Sequence, residues 1–249
     1  MLLATRAWNE AWNNRAVVVP PRGPPPTHQL PGELELTVVS PFHEQLARLK
    51  PSWPQTVIAH GLVAGQPPTA PPELPPGFET LGPVTPPTPD DIDIPQLAAR
   101  PFVPDDAAPN GSSIALVAEY RHRAVLLTAD AFPAVVLQGV DQLLERRGES
   151  KLHLDAFKLP HHGSRANLHL PLLERIECPR HLISTNGSRT RHPNLESIAR
   201  ALVTSQRPQL HFNYRSDWNE VWGDPQVVDR CGYEPIFPPN GASGTILEL

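Results

Sequence analysis

A chain of 249 residues with a net charge of −5 and 39% apolar residues has room for one large domain or two small ones, and lacks the global basic footprint of a nucleic-acid coat protein, although a local nucleic-acid site stays open. Average usage would give roughly a dozen prolines, whereas this chain has 33, gathered at 17–31 and 66–109, so its ordered core is expected to be smaller than its length suggests. Two distant cysteines without a CxxC pair, no apolar run near the ~18 residues of a membrane span and no secretory leader pattern argue against disulfide frameworks, cysteine zinc knuckles and membrane insertion, and fit a cytoplasmic protein.

Leu3, Ala7, Trp8, Ala11 and Trp12 recur at helical spacing, which predicts an opening amphipathic helix. Strand candidates follow at RAVVV (15–19) and LELTVVS (34–40), and then a helix over PFHEQLARLK with proline near its start, where a missing N–H is harmless. Residues 66–109 read as a proline-rich linker or loop without helix or ladder, which separates 1–65 from 110–249. SSIALVAEY and RAVLLTAD form a predicted antiparallel hairpin that turns at YRHR. A helix over FPAVVLQGVDQLLERRG follows, with proline at its start and glycine at its end. After it come strand LHLDAFKLP, helix LHLPLLERIE, strand RHLIST, helix NLESIARALVTS, strand QLHFNY and a closing strand GTILEL.

Alternating strands and helices from 124 to 213 put the C-terminal ends of parallel strands on one edge, where open α/β sheets bind their ligands. Four turns are expected to meet there: Asp130, His161 with His162, the segment TNGSRTRH, and the residues after HFNY. Asp130 is either an exposed carboxylate of a site or an ordinary helix N-cap. Neutral imidazole is a good zinc ligand and a carboxylate can bridge two cations, so KLPHHGSR reads as a fragment of a metal site; the bland alternative is a surface loop with incidental histidines. In an extended backbone the two imidazoles would point to opposite sides. Gly163 permits a sharp turn, and Ser164 and Arg165 offer donors to an anionic oxygen.

The segments NGSSIALVAEYRHRAVLLTADA and LDAFKLPHHGSRAN together resemble the latter half of a metallo-β-lactamase-fold hydrolase. They are most similar to the branch found as the C-terminal domain of bacterial DNA-uptake (competence) channel proteins and in related stand-alone enzymes. That branch has an asparagine–serine strand opening, a LLTGD-like strand end and a K-x-PHHGS loop, and a later His-Pro that opens a helix, matched here by RHPNLESIARAL. The resemblance spans 110–215, and 15–65 only faintly. It implies an α/β fold carrying the C-terminal portion of the αββα sandwich, with a proline-rich insertion and with 1–65 as a remnant of the first half. It further implies zinc as cofactor, Asp130 (in TAD for TGD) and His162 as metal ligands, and His161 as the catalytic contact to substrate or transition state; the order of the two histidines is open. Asn110, Ser112, Ser164 and His192 would bind substrate, and His192 is equally readable as a plain helix-start residue.

The family's H-x-H-x-D-H loop has no counterpart: among the eleven histidines none lies two residues from another and none follows an aspartate. The expectation is therefore a truncated, metal-dependent hydrolase of phosphodiester or other ester bonds, incomplete as this chain alone, with the missing ligands coming either from a partner chain or from an upstream coding segment. The alternative is a non-catalytic scaffold or binding subunit of that fold without bound metal. A third reading, nucleic-acid binding, rests on Arg165, Arg189 and Arg191 in loops of one edge. The tryptophans of DWNEVWGD, Trp218 and Trp222, read as a packing anchor rather than a stacking platform.

Overall fold

Strand β1 (Thr27–Leu30) pairs antiparallel with β2 (Leu34–Ser40), β2 with β3 (Ala115–Tyr120), and β3 with β4 (Arg123–Leu127). The structure, a computed structural model, describes residues 9–59 and 85–249. The turn between β3 and β4 falls on Arg121 and His122 at φ 46° and 69°, the left-handed pair that matches the twist of a two-residue hairpin. The chain then makes β5 (Leu152–His153), β6 (Ala156–Lys158), β7 (Ile176–Glu177), β8 (Arg180–Ile183), β9 (Gln209–Phe212) and β10 (Glu234–Ile236). Strands β4, β6, β8, β9 and β10 lie parallel, so the described residues hold an eight-stranded sheet of order β1-β2-β3-β4-β6-β8-β9-β10; β5 and β7 pair apart from it. The result is a mixed α/β fold, antiparallel on one side and parallel on the other.

The helices are α1 (His43–Leu49), α2 (Trp53–Ala59), α3 (Ile94–Ala98), α4 (Ala108–Gly111), α5 (Pro133–Arg147), α6 (Leu170–Glu174), α7 (Leu195–Val203) and α8 (Pro225–Cys231). α5 follows its sequence signals closely. Pro133 sits in the first turn, Arg146 and Arg147 lie in the last turn, and Gly148 stops the helix at φ 67°. Val136, Val140, Leu143 and Leu144 form its buried stripe. That stripe merges with Val117 and Leu126 of the sheet, and further along with Phe157, Phe212 and the fully buried Trp222. Trp222 is thus the packing anchor expected of it. No helix among the described residues is long and apolar enough to cross a membrane.

Several expectations are corrected. RAVVV is no strand; only Val19 pairs, by a bridge to Phe42, and it packs with Val38 and Val135 in a side cluster. The described part of the proline-rich stretch, 85–109, contains α3 and the start of α4. Pro95 lies in the first turn of α3, Asp93 caps the helix by accepting from Gln96 N at 3.0 Å, and Leu97 and Ala98 bury themselves beside α7. GTILEL is not a strand, and Ile246 is 93% exposed. The closing strand is β10, whose Pro235 is tolerated because it lies at the sheet edge. LHLDAFKLP splits at Leu154 and Asp155, where the Asp155 carboxylate takes the Ala124 amide at 2.9 Å and Arg123 at 2.7 Å. The opening helix lies for the most part outside the described residues, as do 66–84 of the proline-rich stretch.

β8 carries His181, 1% exposed, with Nε2 3.0 Å from Ser205 Oγ and Nδ1 without a partner among the described residues. Burial pulls its pKa down to about 4. Because the folded pKa lies below the unfolded value, the unfolded state binds the extra proton. The associated stability, roughly 3 kcal/mol, is therefore fully present above pH ~6.5 and is lost as pH falls toward 4. Urea unfolding of wild type and His181→Leu at pH 7 and pH 4 is expected to show a smaller pH-dependent loss in the variant by about that amount; equal losses would mean that His181 is solvated.

Candidate functional site at the strand ends

The C-terminal ends of β4, β6, β8 and β9 meet as the alternation requires. After β6 the chain turns sharply, with His161 at φ 44° and His162 at φ 59°, so the pair is not extended but left-handed at both positions. The His161 amide donates to Ala129 O at 2.9 Å, which stitches this turn to the end of β4 beside Asp130. Asp130 and the histidine doublet therefore share one rim. Gly163 follows at φ 85°, where a Cβ would come within 2.8 Å of Pro193 Cβ. Glycine is required here both by the backbone and by the neighbouring loop.

The ring nitrogens can be assigned from their partners. His162 Nδ1 lies 2.6 Å from Ser184 O, and a carbonyl only accepts, so Nδ1 carries a proton and donates it there. Asn167 Nδ2 donates to Asp105 Oδ2 at 3.0 Å and to Asp130 O at 3.1 Å, both pure acceptors. Its Oδ1 therefore accepts from His161 Nδ1 at 3.0 Å, so this ring too is held through Nδ1–H. Asp105 Oδ2 stands 3.5 Å from the same His161 nitrogen. His192 is 4% exposed and meets His161 edge-on, with ring centroids 5.7 Å apart. Burial first, then His161 and His162, pull its pKa down to about 4, so it is neutral. The three imidazoles sit together, and the exposed one is His162.

The remaining expected residues take varied places. Asn110 lies in α4, not at a strand opening, and donates to Asp105 Oδ2 at 2.7 Å, which ties it indirectly to His161. Ser112, the C-cap of α4, donates its hydroxyl to Pro109 O at 2.7 Å. Ser164 is buried, and its Oγ accepts from Ala166 N at 3.2 Å. Both serine hydroxyls serve their own turns.

Sequence reasoning missed Asp105, Asn167 and Lys158. Burial would raise the Asp105 carboxyl, yet the Ala107 amide, Asn110, Asn167 and nearby His161 together hold it below the ordinary carboxylate range. It stays ionised at the centre of the network. Lys158, inside the quoted HHGS loop motif, ends β6 with Nζ 2.8 Å from Leu159 O. Burial pulls its ammonium down to about 8, against the attraction of Asp130. Asp105 carried no signal, since it lies in the proline-rich stretch away from every motif, and Asn167 closes the segment LDAFKLPHHGSRAN without a role of its own in the motif.

His161 and His162 border an open depression of about 490 Å³, walled also by Thr185, Asn186, Arg189 and Asn213. The wall is polar, with an arginine suited to anions. As a complete zinc site the described residues do not fit. No group of three His, Cys, Asp or Glu side chains among them could hold a metal ion, whereas a catalytic zinc takes three protein ligands and a water. The chain matches no family model, no curated protein and no solved structure.

Proposed function

We propose that this rim is one half of the active site of a metal-dependent hydrolase of the metallo-β-lactamase kind, acting on a phosphodiester or other ester, whose remaining ligands come from outside the described residues. One observation carries the reading. His161 and His162 each have Nδ1–H anchored on a fixed acceptor, which leaves Nε2 as the ring nitrogen each could offer to a metal or a proton. Metal-binding and proton-accepting histidines are oriented in this way by an outer partner. Asp130 and His162 are the side chains this chain would offer to zinc, His161 would accept a proton or contact the substrate, and Lys158 and Arg189 would attract its negative charge. The α/β sheet with its ligand edge at the carboxyl ends supports the corresponding portion of an αββα sandwich.

A second reading, a scaffold or binding subunit without metal, is favoured by the absence of any three-donor group among the described residues. Zinc titration of the purified chain, followed by calorimetry and elemental analysis, separates the two. The hydrolase reading expects weak zinc binding, with Kd of about 1 μM or higher, weakened at least about tenfold by His162→Ala and by Asp130→Ala. No uptake at millimolar zinc, or uptake indifferent to both substitutions, would leave the scaffold reading.

A further inference from the structure

The loop that lines the histidine depression with Arg189 turns its next residues, Arg191, Pro193 and Asn194, into a separate cavity of about 270 Å³. Arg100 and Arg165 complete the wall with Glu196 and Trp218. Among the described residues the cavity is lined by three guanidiniums and one carboxylate, on a chain whose net charge is −5. Such a concave cationic spot concentrates anions.

Arg100 and Arg165 are organised by one shared carboxylate. Glu196 Oε1 takes Arg100 Nη1 at 3.1 Å and Arg165 Nη1 at 3.3 Å, while those side chains stay 50% and 63% exposed. A guanidinium has five N–H donors in a rigid fork, so one shared oxygen leaves most of them for a ligand. Arg191 packs its guanidinium 5.3 Å from the Trp218 ring centroid, a cation–π contact at the wall. The first turn of α7 borders the same space, where the Glu196 carboxylate meets its own backbone amide. Asn194 occupies its N-cap position but makes no side-chain cap; its Oδ1 accepts from Arg165 N at 2.9 Å instead.

We propose that this cavity binds the terminal phosphoryl group of a nucleotide-sized ligand. Arginine forks match phosphate oxygens two at a time, and Arg100 and Arg165 keep donors beyond the one each gives to Glu196. The volume lies just below the ~300 Å³ floor of pockets for drug-sized molecules, which suits one nucleotide rather than a groove for a duplex. A free nucleoside monophosphate and the 5′-phosphorylated end of a strand share this chemistry. The proposal does not depend on the hydrolase reading, because none of its arginines is a metal donor.

Calorimetry of the chain at low salt tests it, with inorganic phosphate, AMP, adenosine, and short oligothymidylates with and without a 5′-phosphate. AMP is expected to bind with Kd below about 1 mM and adenosine not to bind. Arg100→Ala and Arg191→Ala should each weaken AMP at least about tenfold, while Lys151→Ala should not. Lysine at either arginine keeps the charge without the fork and is expected to recover part of the affinity, which keeps the test valid should an alanine variant fail to fold. A 5′-phosphorylated strand that binds more tightly than AMP identifies a strand end as the ligand; the reverse order identifies a free nucleotide. No binding of phosphate or AMP at millimolar concentration, or binding equal in wild type and the arginine variants, overturns the proposal. Zinc affinity is expected to be unchanged in Arg191→Ala, so the two sites can fail separately.

Discussion

Gly139→Ala is expected to be the most damaging single methyl in the described structure, lowering stability by about 4 kcal/mol or more. Gly139 lies in the middle of α5, where a glycine ordinarily costs ~1 kcal/mol against alanine. Its reason is the backbone of β2. A Cβ built at Gly139 would come within 2.7 Å of the Val39 carbonyl carbon and 2.8 Å of its Cα, and would overlap the carbonyl oxygen outright. Val39 is the extra residue of a bulge, where the register with β3 slips between Val38 and Ser40, so its carbonyl is thrust toward the helix. Neither partner is a flexible side chain that could swing aside. The helix would have to lift off the sheet, loosening Val136, Val140 and Leu143 from the core with it. Thermal melts should show a drop of roughly 8–16 °C. Gly148→Ala is the control: it meets nothing within 4 Å and bears only its φ of +67°, a strain of about 1–2 kcal/mol. A Gly139→Ala melt close to wild type would show that α5 does not rest on the bulge.

The sequence disclosed the elements whose signals are local and strong. β2 occupies the apolar run 34–40, the hairpin turns where YRHR suggested, and α5 starts and stops on its proline and glycine. What misled was apolar content without a partner. RAVVV and GTILEL have strand composition, but pairing depends on a neighbouring edge that composition does not report, and β10 took that edge with Glu234–Ile236. α3 escaped notice because proline density hid a helix that keeps its proline in the first turn. For the candidate site, the topology rule alone brought Asp130 and the histidine doublet to one rim, since parallel strands end on one side. The local geometry was not legible. Two successive left-handed histidines arise from the tertiary bond between His161 N and Ala129 O, and Asp105 reaches its three polar partners from a segment that reads as linker.

Arg200→Met is expected to cost about 3–5 kcal/mol, because it removes one member of a buried polar set and leaves the rest behind. Arg200 on α7 is 2% exposed. Its Nη1 donates to Arg165 O at 2.7 Å and Leu168 O at 2.9 Å, its Nη2 donates to Arg100 O at 3.2 Å, and the guanidinium lies 5.4 Å from the Phe102 ring centroid. Burial lowers its pKa and Glu196 partly restores it, yet guanidinium remains charged. Methionine would fill the volume of the stem and leave three carbonyls without a donor, each at ~1–3 kcal/mol if water does not replace it. A melting drop of roughly 6–20 °C is the corresponding readout. The same bonds hold the backbones of Arg100 and Arg165, two of the three arginines around the second cavity, so the variant should also lose AMP affinity more than Arg100→Ala does. Arg200→Lys distinguishes the cause. A compact ammonium keeps the charge but cannot span three acceptors, so only partial recovery is expected. Full recovery of both melting temperature and AMP affinity by lysine would mean that the charge, and not the pinning of these carbonyls, is what α7 contributes.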